Sequence, residues 1–180
     1  MAVAVVAGLG GCADDAPSCG PGTAAADGIT LTIDGEAVAF TGFTASVNND
    51  CTVAGAGVIS VSVHATQVGS AAPLTLCLPR PDLLGTTAVP LAPSRVPPLA
   101  EDRVQVIDAS AALAGGCTAA LTPAGLPVGT ASFTGYCGGG TDPAGYALTV
   151  SGTVPVMVTC PAGTTTATGT LAGTAAVSYQ

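Results

Sequence analysis

Seven cysteines, at positions 12, 19, 51, 77, 117, 137 and 160, carry most of the side-chain chemistry available to this chain. Thiols can ligate zinc, exchange with disulfides, act as nucleophiles or close structural bridges, and spacing separates these uses. No two of the seven form a C-x-x-C pattern, which disfavours a zinc ribbon and a thioredoxin-type redox pair. Structural bridging remains. An odd number strands one thiol in an oxidising compartment, but with Cys12 set aside the other six, Cys19, Cys51, Cys77, Cys117, Cys137 and Cys160, can close three disulfides in many alternative pairings.

The other chemistry-bearing residues are sparse. His64 is the one histidine, so any Ser-His-Asp site must use it, yet no G-x-S-x-G elbow is present. It falls in "GVISVSVHAT", where Ile59, Val61, Val63 and Ala65 share one face and His64 lies on the polar one, which predicts a solvent-facing, dispensable side chain. A small hydrolase using His64 or a carboxylate is the second reading, to be decided by whether Ser or Asp joins it in a concave pocket. The 11 acidic residues lack the aromatic platform of a carbohydrate enzyme, since the chain has no Trp. Asn48-Asn49-Asp50 suits a tight turn better than a cation, and Asp14-Asp15 lacks the spaced oxygens of a calcium loop. Gly138-Gly139-Gly140 has no lysine of a phosphate loop. The sequence therefore predicts no catalytic residue, no metal site and no cofactor.

Cys12 is a different kind of cysteine. Residues 2–11, "AVAVVAGLGG", are apolar and end in small residues, the pattern of a signal-peptide core and processing site. Leu9-Gly10-Gly11-Cys12 resembles the lipobox of bacterial lipoproteins, although no Arg or Lys precedes the apolar run. The resemblance covers about the first 14 residues of the chain. It implies a signal peptide over 1–11, N-terminally incomplete if the start lies upstream, and a lipid attached to Cys12. By the same resemblance, Ala13 implies outer-membrane sorting. Residues 12–27, rich in Asp, Pro, Gly and Ala without periodicity, read as the anchor and a flexible tether.

Charge narrows the partners. With a formal charge of −8 and three cations, Arg80, Arg95 and Arg103, the chain would repel a nucleic-acid backbone. No run after residue 11 approaches the roughly 18 apolar residues of a membrane-spanning helix, so contact with a membrane is expected through the lipid alone. All three arginines lie in or beside the proline-rich excursion 78–102, which makes the 78–103 loop the candidate site for a protein, peptide or small-ligand partner. The plainer reading is a crossover between sheets.

Positioning these residues falls to strands. Only 8% of the residues are charged while 25 are Gly and 14 Pro, too few charges to clothe long exposed helices and enough breakers to punctuate many short elements. Segments beginning at Gly28, Glu36, Gly57, Pro73, Arg103, Cys117, Val128, Tyr146 and Thr164 alternate or are β-rich, and Asp34-Gly35 reads as a hairpin turn. They predict a single all-β domain over 28–180, an antiparallel β-sandwich of eight or nine strands, with a partly open β-barrel as the alternative. "AFTGF" at 39–43 is echoed by "SFTGY" at 132–136, too brief a match to establish two related halves. The function expected is that of a lipid-anchored envelope lipoprotein with a non-enzymatic structural or binding role.

Overall fold

The computed structural model of the chain describes residues 28–47, 60–79, 87–93, 103–137 and 143–179. Cys12, Cys19, Cys51, Arg80, Arg95, the tether, Asn48-Asn49-Asp50 and the triple glycine lie outside the described residues, as does the side chain of Cys137.

The described residues are almost wholly β. Strands run β1 (Gly28–Ile33), β2 (Glu36–Val47), β3 (Ser60–Gln67), β4 (Pro73–Pro79), β5 (Val89–Pro93), β6 (Val104–Ala109), β7 (Ala111–Ala112), β8 (Thr118–Leu121), β9 (Val128–Cys137), β10 (Pro143–Cys160) and β11 (Gly163–Tyr179), with a short 3-10 turn at Ala114–Gly116. Period-2 patterning drives this assignment: in β1, Ile29, Leu31 and Ile33 are buried while Thr30 and Thr32 face outward. Asp34 and Gly35 both take positive φ, 49° and 85°, which matches their turn to the twist of the β1–β2 hairpin.

All eleven strands belong to one hydrogen-bonded sheet, ordered β1-β11-β2-β3-β4-β6-β5-β9-β10-β8-β7, with β1 also pairing β2 and β11 also pairing β10. Two pairings are parallel, β2 with β11 and β5 with β6, and the rest are antiparallel. Because β11 touches β1, β2 and β10, the pairing that leaves β2 through β3, β4, β6, β5, β9 and β10 returns to its start. The sheet thus wraps one core, in which Phe40, Phe133, Leu31, Leu76, Leu148 and Leu171 are each no more than 1% exposed.

Eleven strands exceed the expected eight or nine through two additions. β7 is only two residues long. β5 lies inside the proline-rich excursion, which is therefore not strandless: Val89, Leu91 and Ala92 are buried, and Pro90 pairs with Thr130 of β9. A five-residue segment at the junction of a parallel and an antiparallel neighbour needs few backbone donors, so its prolines are tolerated. The echoed motifs do place Phe40 and Phe133 alike in the core, but only β2 bulges there, between Thr41 and Thr44, with Gly42 at φ 70°.

Glycines make the tight curvature possible. Gly129 and Gly152 face each other across β9 and β10, and a Cβ on Gly129 would overlap the Ser151 carbonyl oxygen and the Gly152 Cα. Gly129 also sits at φ 139°, so both space and backbone demand glycine.

Two further features brace the sheet. On the face of β3, β4 and β6 opposite the core, Ser62, Cys77 and Gln105 stand in one cross-strand row, yet none is more than 1% exposed. That face is covered as well. Around β7, Gln67 bonds the backbone of Ala112, the Ala114 N–H donates to Glu36 Oε1 at 2.7 Å, and Cys117 is bridged to Cys160.

Candidate functional site: a cleft beside Asp108

A break in strand pairing borders a concavity among the described residues. β5 pairs with β6 only as far as Val106, and β7 pairs with β8 only at Thr118 and Ala119. Beyond those points Ile107, Asp108, Ala120 and Leu121 border a gap closed at its end by the 122–127 turn. The gap is a cleft of about 430 Å³, with Pro93, Ile107, Leu121, Pro123, Leu126 and Pro127 as its apolar wall. Leu126 is 68% exposed at its rim.

The polar groups of the cleft are placed by a β-bulge. Thr75 pairs with Asp108 but Leu76 pairs with Val106, so Ile107 is the extra residue on β6. Such an insertion re-aims the side chains around it. Ile107 and Asp108 both line the cleft, and the Ser110 hydroxyl donates to Asp108 Oδ1 at 2.6 Å. Behind them the outward row continues across the sheet from Asp108 to Thr75, His64 and Thr44.

His64 lies on the side of β3 expected from alternation, opposite buried Val63 and Ala65, but it is half-buried rather than solvent-facing. The covered outer face explains the difference. Its Nδ1 is 3.3 Å from Thr75 Oγ1, and Thr75 is itself 8% exposed. Ser, Asp and His therefore share one face, but the Ser110 hydroxyl is directed to Asp108, and Thr75 stands between Asp108 and His64. A relay in which His64 takes the Ser110 proton does not correspond to these bonds.

Of the six cysteines expected to pair, the structure brings Cys117 and Cys160 together across the ends of β8 and β10. Cys77 is disulfide-bonded too. Arg103 is exposed immediately before β6 and is engaged in an interaction, while Pro93 brings the proline-rich excursion to the cleft wall. Asp108 and Ser110, which with Thr122 are the polar side chains of the cleft, were missed by sequence reasoning; the signal available for the first two was the lapse of alternation in "VQVIDAS".

Among the described residues no helix is long and apolar enough to cross a membrane, and no group of three or more His, Cys, Asp or Glu is placed to hold a metal ion. Comparison with protein-family models, with curated proteins and with solved structures finds no match.

Proposed function

We propose that this chain is an exported, disulfide-braced β domain, tethered to a bacterial envelope membrane by a lipid on Cys12, and that it acts as a non-enzymatic binding or structural module. The observation that carries the reading is disulfide bonding at Cys117, Cys160 and Cys77, because bridges of this kind persist in oxidising compartments and are rare where glutathione keeps thiols reduced. The lipobox-like Leu9-Gly10-Gly11-Cys12 supplies the anchor, and Ala13 favours the outer membrane. An uncharged outer face suits a crowded envelope: Thr30, Thr32, Thr149, Ser151, Thr170 and Thr174 line β1, β10 and β11 without a charge among them.

The test is membrane partition in a bacterial host. Wild type should fractionate with membranes, with a mature mass that begins at Cys12 and carries acyl chains. Cys12→Ala should leave the protein soluble, since several acyl chains are needed for firm anchoring. Equal partition of the two proteins, or a wild-type mass without acyl chains, overturns the anchored reading.

A further inference from the structure

We propose that the cleft beside Asp108 is a binding site for a small organic cation, an apolar body carrying a protonated amine. The proposal rests on the reading of the domain as a binding module and adds the site and the ligand class. Three observations meet there.

The first is size and lining. About 430 Å³ lies within the range of small-ligand sites, which are mostly apolar walls with few polar groups that fix orientation. Ile107, Leu121, Leu126 and three prolines supply such walls. Proline walls are conformationally stiff, so little ordering entropy is lost when a ligand enters.

The second is the carboxylate. Asp108 is half-buried at the cleft, and its one bond among the described residues is the donation from Ser110 at 2.6 Å. A neutral hydroxyl does not cancel the charge of the carboxylate while it holds Oδ1, and among the described residues the other acceptor positions are left for N–H donors. A neutral ligand would bury that charge without compensation, and an anion would be repelled by it.

The third is the field. A molecule of formal charge −8 raises the local concentration of cations over most of its surface. Attraction at long range and a fixed carboxylate at short range therefore select the same ligand sign.

Three probes of similar bulk separate charge from shape: phenethylammonium, 2-phenylethanol and 3-phenylpropanoate. They are titrated into the full chain and followed by NMR at the methyl groups of Ile107, Leu121 and Leu126. The ammonium should move these signals saturably, the alcohol should bind at least about tenfold more weakly, and the carboxylate should not bind, in keeping with the strength of charged hydrogen bonds. Asp108→Asn should remove the preference of the ammonium over the alcohol, and Ser110→Ala should weaken ammonium binding without abolishing it. Equal affinity for the three probes, or no saturable shift with the ammonium, overturns the proposal in the wild-type protein alone, whatever the variants do to folding. Such a failure leaves the anchored, disulfide-braced reading standing, because that is read by membrane partition and mass.

Discussion

Gln67 and Ala112 hold each other by two hydrogen bonds: the Ala112 N–H donates to Gln67 Oε1 at 2.7 Å, and Gln67 Nε2 donates to the Ala112 carbonyl at 2.8 Å. One side-chain amide thus occupies the donor and acceptor of an edge strand that has β8 on its other side. This arrangement gives a two-residue strand a fixed place and blunts an edge that would otherwise be open to pairing. Gln67→Ala is expected to lower stability by about 1–3 kcal/mol, the cost of leaving such groups unpaired where water is partly excluded. Native-state hydrogen exchange should show the Ala112 amide accelerated far more than amides of β10. Unchanged exchange at Ala112 would show that the amide pair does not secure β7.

Gly129 and Gly152 predict a second outcome. Gly129→Ala must place a Cβ against the backbone of β10 at a φ of 139°, so the expected loss is about 3 kcal/mol or more, or failure to fold. Gly35→Ala is the control, since its φ is also positive, at 85°, but its Cβ would meet nothing within 4 Å. It should cost about 1 kcal/mol. Urea denaturation of the two variants checks the order, and equal losses would remove the close approach as the cause.

The Cys117–Cys160 bridge closes a sequence separation of 43 residues. Replacing both cysteines by serine is expected to cost about 2–4 kcal/mol. Alkylation of the urea-unfolded wild-type protein without reductant should leave Cys77, Cys117 and Cys160 unmodified, as read by peptide mass. Labelling at any of the three would contradict the bonding described here.

His64 is now expected to matter somewhat more than an ordinary surface residue. Its contact with Thr75 on a covered face makes the cost of His64→Ala about 0.5–1.5 kcal/mol, the usual worth of one hydrogen bond. Thr75→Val should cost a similar amount, and the double variant less than the sum of the two. Strict additivity in that cycle would mean the two side chains are not coupled.

Much of this architecture was legible because one physical signal dominates it. Alternation between buried and outward residues, interrupted by Gly and Pro, located nine of the strands, and the Asp34-Gly35 turn marked its hairpin. β5 was hidden because its prolines argue against a strand, although a short segment with few backbone bonds accommodates them. β7 was hidden because its place depends on Gln67, forty-five residues away in sequence. The cleft was illegible for a related reason. Asp108 and Ser110 gain meaning only where a bulge, the end of β5 and the 122–127 turn meet, and none of these meetings has a local signature. The outer burial of Ser62, Cys77 and Gln105 likewise follows from tertiary cover, which strand period alone does not reveal.

The way β11 closes the sheet sets the order in which the molecule can be made. Leu31 pairs with Leu171, and Thr44 stands beside Ser178, so β1 and β2 meet a neighbour far away in sequence only when β11 is in place. Before β11 is in place β1 can pair with β2 and β2 with β3, but the ring that runs on through β10 stays open. Closure is therefore a long-range and slow event that waits for β11 to join β10 to β2.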